Sequence, residues 1–407
     1  MPRVLVVLPT ASYRTGDFVA AARALGVDLA VASEQDPPLD LGEGFVRVDC
    51  SDPEAAAEAI VHLADRTRID AVVAADDAGV VTAALASQRL GLPHHPPSAA
   101  AATRDKLEMR RLLSRREVPQ PDFAPVGGDP LIAGRSLGFP LVLKPRTGAA
   151  SRGVIRVDDP GDLSGSVERV RRIARELGED GILLAERYIA GEEVAVEALV
   201  VGGEVSVLAV FDKPDTPAGP SFPETMLVTP SHQTREVLAE LERVVQAGVD
   251  ALGLRHGPVH AEAIVDPAGR VHLIEVAARS IGGLCSRSLR FGLAATSLEE
   301  LILGTALGSP PLPRRQPRAS GVVMLPIEEA GVLDRVEGVE EVEAQEGITE
   351  VDITIPPGTP VTPLPEEGRY LGFVFAVGAD RDQVIGRLRQ AVASLDVRIV
   401  GESTRAG

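Results

Sequence analysis

Apolar and polar positions along the first hundred residues switch between two periods. Residues 3–9 (RVLVVLP), 27–33 (VDLAVAS) and 69–76 (IDAVVAAD) are short apolar runs and read as strands. Residues 18–26 (FVAAARALG), 53–67 (PEAAAEAIVHLADRT) and 80–91 (VVTAALASQRLG) carry a helical spacing, the first and last closing on Gly26 and Gly91. Strands alternating with helices of this length predict a parallel α/β sheet. The run PHHPPSA (93–99) breaks the pattern and marks a domain edge.

The pattern then changes character. A charged helix, DKLEMRRLLSRREV (105–118), leads through a loop to the strand and small-residue turn FPLVLKPRTG (139–148). A strand resumes at GVIRVDD (153–159), a charged helix at 163–178 and a strand at GILLAERYI (181–189). Residues 193–213 read as a hairpin through Gly202-Gly203, and 257–266 and 270–278 as two strands joined across Pro267-Ala-Gly, after a helix at 234–253. A helix at 297–308 and the linker PPLPRRQP (310–317) follow. The remainder holds strand-like runs (SGVVMLP, LGFVFAVG, VRIV) and one helix (382–395), a small α+β module. The expected division is an N-terminal α/β domain (1–103), a central α+β domain (104–312) and a C-terminal α+β module (313–407).

Composition narrows the function. The 407 residues are 44% hydrophobic and 25% charged, with a formal net charge of -18, which argues against nucleic acid or an anionic membrane as the main partner. No apolar stretch approaches the roughly 18–20 residues that span a bilayer, and the opening apolar run is too short for a signal peptide. Cys50 and Cys285 make neither a disulfide framework nor a metal spacing, so a reducing cytoplasm is expected. Of 41 basic residues only three are lysines, Lys106, Lys144 and Lys213, which points to places where a compact ammonium is needed.

GxxxxGK[ST], GxSxG and HExxH are absent, and no GxGxxG follows the first strand. What remains is a spaced set. Lys144 ends an apolar strand and precedes Thr147-Gly148-Ala149-Ala150-Ser151-Arg152-Gly153, small residues whose N–H groups can approach anionic oxygens closely. Glu186 ends a strand, followed by Ile189 and Glu193, backbone suited to a purine edge and a carboxylate suited to ribose hydroxyls; taken alone, Glu193 reads first as a solvated loop carboxylate. Glu262 and Glu275 lie on neighbouring strands of a predicted hairpin, so both can face one point. Two like charges there call for a cation between them, and an oxygen-only donor set suits magnesium. Arg279, four residues on, supplies charge where a phosphoryl oxygen or oxyanion develops. A structural salt-bridge network is the plain alternative for this element.

Taken in order from Lys106 to Arg279, these residues resemble the ATP-grasp superfamily, and most closely its amino acid ligase (dipeptide synthetase) branch, over nearly the whole chain. The resemblance implies an ATP-grasp fold of two α+β subdomains between the N-terminal domain and a lid-like C-terminal module. It implies that Lys106 and Lys144 contact the ATP phosphates and that Ser151, Arg152 and Gly153 belong to a loop folding over them. Glu186 and Ile189 would read adenine through their backbone and Glu193 the ribose. Glu262 and Glu275 would hold one or two Mg2+ (or Mn2+), and Arg279 would act on the transferred phosphate and the tetrahedral intermediate. Many relatives carry Asn two residues after the second metal Glu; here that residue is Ala277. The run from Glu275 to Arg279, with Gly282-Gly283, instead looks like the amino acid ligase pattern. By the same resemblance Lys213 and Glu224 approach the acceptor substrate, with Leu227 where some relatives place a His. His260 reads as structural and Cys285 as inert packing.

The implied activity is ADP-forming amide ligation of small-molecule carboxylate and amine substrates through an acyl phosphate, and a homodimer is compatible with it. Two other readings stay open: an ATP-grasp ligase acting on bicarbonate or a biosynthetic-precursor carboxylate, and a non-catalytic nucleotide-binding protein. No biotin- or ribose-phosphate-binding signature favours the first, and the joint presence of Glu262, Glu275 and Arg279 disfavours the second.

Overall fold

The structure is a computed structural model and describes residues 1–10, 12–36, 42–217, 219–309 and 313–401. The N-terminal strands lie parallel in the order Phe45–Arg47, Asp28–Ser33, Arg3–Val7, Ala71–Ala74. Alternate residues of Arg3–Val7 face opposite layers. Leu5 and Val7 pack with Ile60 and Leu63 of helix Pro53–Ala64, and Val4 and Val6 with Phe18 of helix Thr15–Leu25. Burial on both faces explains why these strands are continuously apolar. Gly26 and Gly91 end their helices at φ 63° and 68°, the left-handed conformation that glycine adopts without strain. The sequence reading overlooks the strand Phe45–Arg47 and the helix Pro97–Arg104, which begins inside the Pro-rich break because proline suits a first helical turn.

Beyond this domain stands a small antiparallel sheet ordered Phe123–Val126, Leu183–Arg187, Leu141–Lys144, Ile155–Val157. Helix Leu163–Glu176 covers one face through Leu163, Val167, Val170 and Ala174. The large sheet has eight antiparallel strands, in the order Val271–Ala277, His256–Val265, Glu192–Val201, Glu204–Asp212, Met226–Thr229, Ala319–Leu325, Gly372–Gly378, Ile348–Ile353.

The C-terminal α+β module has a three-stranded sheet of its own, Pro360–Val361, Gly331–Glu337 and Asp396–Val400, and is joined to the central sheet. Three of its strands extend the central sheet, because the edge of Met226–Thr229 would otherwise expose unpaired backbone groups. Ala319–Leu325 is buried along its whole length, which is why all of it but Ser320 is apolar or glycine. The expected boundary at 312/313 and the tail beyond 401 lie outside the described residues. Among the described residues no helix is long and apolar enough to cross a membrane.

Candidate active site

One cleft runs between the small sheet, the large sheet and the N-terminal domain. Lys106, Lys144, the 147–152 loop, Glu186, Ile189, Glu193, Glu224, Glu262, Glu275, Arg279, Gly282 and Gly283 all line it. Of the residues singled out from the sequence, Lys213 and Gly153 lie just behind this lining.

The floor at the small sheet is a buried ion cluster. Glu186 accepts from Arg110 Nε at 2.6 Å and lies 2.8 Å from Lys144 Nζ, with all three side chains less than 10% exposed. Burial alone would raise the Glu186 carboxyl, but the two cations outweigh it and hold it at about 2. Arg110 also donates to the carbonyls of Leu273 and Ile274, fastening the small sheet's lysine to the strand that carries Glu275. Asp105 caps helix Lys106–Arg115 by accepting from the N–H groups of Leu107 and Glu108. That start aims Lys106 into the cleft, where Nζ donates to Gly148 O at 2.9 Å and lies 3.3 Å from Glu275.

The small-residue loop has left-handed backbone at Gly148, Ala150, Ser151 and Gly153. At Gly153 the glycine is required, since a Cβ would stand 2.6 Å from Pro145 Cγ. Glu179 holds the loop's stem by accepting from the N–H groups of Arg146 and Thr147. Its far side is tied to the C-terminal residues. Gly153 N–H donates to Pro365 O at 2.8 Å, Arg152 Nε to Glu366 O at 2.6 Å, and the Glu366 carboxylate takes both Nε and Nη2 of Arg169.

Glu262 and Glu275 face each other across their two strands, as the hairpin reading requires. Their side chains have different partners. Lys213 Nζ lies 2.5 Å from Glu193, 2.8 Å from Glu224 and 2.7 Å from Glu262, while Glu275 pairs with Lys106. Burial opposes the Lys213 charge, but the three carboxylates raise its pKa well above the usual lysine range. Burial also pushes Glu224 up, and it pushes Glu262 the same way until Lys213 and His260 drive it well below the usual value. One oxygen from each of Glu193, Glu224 and Glu262 lies within 4.8 Å of the others, an all-oxygen donor set of the kind magnesium takes. The structure thus places Glu193 and Glu224, expected at the ribose and the acceptor, beside Glu262.

His260 stands behind them. Its Nδ1 lies 2.7 Å from buried Glu197 and its Nε2 3.7 Å from Glu262. Burial disfavours its charge, yet these carboxylates raise it to about 9. Cys285 is buried with Sγ 3.8 Å from Met324 Sδ, and burial pushes its thiol far up, as inert packing requires.

Sequence reasoning misses Asp77, Arg110, Arg14 and Tyr370. Asp77 follows the parallel strand Ala71–Ala74 and sits at the carboxyl end of that sheet, where α/β folds place ligands. It accepts from Arg279 at 2.9 Å and lies 2.9 Å from Arg104. Burial works against its charge, but the two guanidiniums hold it at about 2. Arg14 is fully buried and donates to Ala75 O, Ser280 Oγ, Ile281 O and Glu299, locking the loop after Arg279 to the N-terminal domain. Tyr370 Oη accepts the Glu224 N–H at 3.0 Å. The strand-end position of Asp77 was the one available signal.

Comparison with known proteins matches these parts in turn. The model of the ATP-grasp domain matches residues 137–288, that of the ATP-grasp N-terminal domain residues 19–94, and that of the L-amino acid ligase C-terminal domain 2 residues 323–400. The fold superposes on the L-amino acid ligase of Bacillus licheniformis over 98% of this chain and 99% of that one, with a TM-score of 0.86 and 25% identity. In sequence the chain is 28% identical over 354 residues to carnosine synthase 1 of Gallus gallus, covering 79% of this chain and 38% of that protein. It is 27% identical over 249 residues to the alanine–anticapsin ligase of Bacillus subtilis, covering 56% of this chain and 52% of the ligase. The chain thus spans about half the length, or less, of these two curated relatives.

Proposed function

Because the chain belongs to the ATP-grasp superfamily and resembles its L-amino acid ligase branch, we propose that it ligates two amino acids, or amino-acid-like molecules, using ATP and forming ADP. One observation carries this reading: Lys106, Lys144, Arg279 and four carboxylates line one cleft beneath a small-residue loop, with Lys213 bonded to three of the carboxylates from just behind the lining. A decayed binding protein has no reason to keep a cage of buried, mutually compensated charges, which is costly to maintain.

In this reading a substrate carboxylate oxygen attacks the γ-phosphorus of ATP and the bond to ADP breaks, giving an acyl phosphate. The amine of the second substrate then attacks the acyl carbon, phosphate leaves and the amine's proton passes to solvent. Glu262 and Glu275, with Glu193 and Glu224 beside them, would hold one or two magnesium ions, which would supply positive charge against the phosphate oxygens. Lys144 and Lys106 bind the phosphates from below the loop. Lys213, ion-paired with Glu193, Glu224 and Glu262, holds these carboxylates in place and with Glu224 recognises the charged groups of the acceptor amino acid. Arg279, oriented by Asp77, and the amides of Gly282 and Gly283 stabilise the oxyanion of the second step. The 147–153 loop, closed against Pro365 and Glu366, excludes water from the acyl phosphate.

The test is ADP and phosphate release from magnesium-ATP across all pairs of the common amino acids, with mass spectrometry of the products. Release dependent on a pair, with a product lighter than the sum by one water, is expected, and Glu275→Gln should abolish it without loss of fold. Tight magnesium-ATP binding with no release for any pair would refute ligation of two common amino acids and leave only less common carboxylates and amines as substrates.

A further inference from the structure

Arg279 is held at two levels. Asp77 takes its guanidinium, and its Nη1 donates to the carbonyl of Ser280, the next residue in the chain, at 2.9 Å. The second bond ties the side chain to its own backbone, so the guanidinium follows wherever that backbone is placed. The strand carrying Glu275 ends at Ala277, and residues 278–284 belong to no strand or helix. Their position therefore depends on contacts from elsewhere in the fold.

Arg14 supplies them. It lies between strand Arg3–Val7 and helix Thr15–Leu25 and is 1% exposed. Its Nη1 donates to Ser280 Oγ at 2.7 Å, Ala75 O at 3.0 Å and Ile281 O at 3.4 Å. Ala75 stands two residues before Asp77, and Ser280 and Ile281 directly follow Arg279. One nitrogen thus spans the two backbones that carry the Asp77–Arg279 pair. Its Nη2 meets Glu299 of helix Leu298–Ala306 at 2.6 Å, which balances the charge. Phe18 packs beneath, its ring centroid 5.2 Å from the guanidinium carbon.

A buried ion pair stabilises a fold no better than well-packed apolar side chains would. A planar guanidinium does fix several acceptors at defined places at once, which no apolar residue and no lysine can do. The arrangement suits the setting of geometry more than the adding of stability. Arg14 lies outside the lining of the cleft, so any effect on chemistry passes through its neighbours.

Resting on the ligase reading of this cleft, we propose that Arg14 is a positioning residue for the reaction. It clamps the Ser280–Ile281 backbone against Ala75, so that Arg279 stands where the transferred phosphate and the oxyanion develop. The N-terminal domain then contributes to the chemistry itself, through a residue 265 positions away from the group it aims.

The test is a double-mutant cycle between Arg14→Lys and Asp77→Asn in the full chain. ADP release is measured with whichever pair of common amino acids the wild type turns over fastest. A lysine keeps a charge for Glu299, but its single nitrogen cannot serve Glu299 and the three oxygens together. Arg14→Lys should lower kcat about tenfold or more, with the KM for ATP within about twofold. In the Asp77→Asn background, where Arg279 is already released, the same change should cost less than about twofold.

Losses that multiply in the double variant, or a KM for ATP that rises as kcat falls, would overturn the proposal and leave Arg14 a structural residue. Ser280→Ala removes one acceptor and spares the Arg14–Glu299 pair, so it decides the matter where Arg14→Lys does not fold. It should lower kcat about threefold or more, again with little further loss beside Asp77→Asn; an unchanged kcat would overturn the proposal. Wild-type turnover that neither variant alters defeats this inference alone, whereas a wild type that releases ADP with no pair defeats the ligase reading and this role together.

Discussion

Glu186→Gln isolates what the buried ion cluster contributes. The substitution keeps the side chain's size and its capacity to accept hydrogen bonds, but leaves Arg110 and Lys144 as two buried cations without their shared anion. A carboxyl brought from its ordinary 4.5 down to about 2 by folding contributes about 3 kcal/mol at neutral pH. Removing one partner of a buried pair costs a similar amount, about 3–5 kcal/mol. The pKa is depressed on folding, so this stability is complete above the unfolded value and is lost as pH falls from about 4.5 toward 2. The variant's deficit should therefore shrink to about half near pH 3. Urea unfolding read by circular dichroism measures it, since the chain has no Trp. Hydrogen exchange in Leu141–Lys144 and Leu183–Arg187 reads the same loss locally. A deficit under about 1 kcal/mol at neutral pH, or one that does not shrink in acid, would refute the reasoning.

Asp77→Asn should lower kcat by about tenfold to a hundredfold with little change in the KM for ATP, because Arg279 loses the partner that aims it; equal changes in both would assign Asp77 a merely structural part. Glu366→Ala removes the bidentate tie to Arg169 and should raise ADP release in the absence of an acceptor by about twofold to fivefold, the scale of a partly exposed ion pair; an unchanged rate would show that the loop's closure does not depend on it. His95 Nδ1 accepts the N–H groups of Arg255 and His256, and burial holds the ring at about 4. Its neutral form is favoured on folding, so this contribution is lost as pH falls from about 6.5 toward 4; urea midpoints over that range should fall more steeply in the wild type than in His95→Asn.

What the sequence by itself determined is chemistry held by neighbours along the chain. The alternation of the first hundred residues fixes a parallel sheet because burial on both faces demands continuous apolar strands. Lys144 with its small-residue loop, and Glu262 with Glu275, are legible because a strand end and a tight hairpin set their geometry over a few residues. The tertiary structure alone decided which charges meet. Lys213 reaches Glu262 across 49 residues, Arg110 reaches Glu186 across 76 and Arg279 reaches Asp77 across 202. A polar residue's sequence surroundings say that it carries charge but not which distant charge will compensate it once both are buried. The same holds for the C-terminal strands. Their apolar pattern marks them as strands, but which edge they join depends on the backbone groups that the rest of the sheet leaves unpaired.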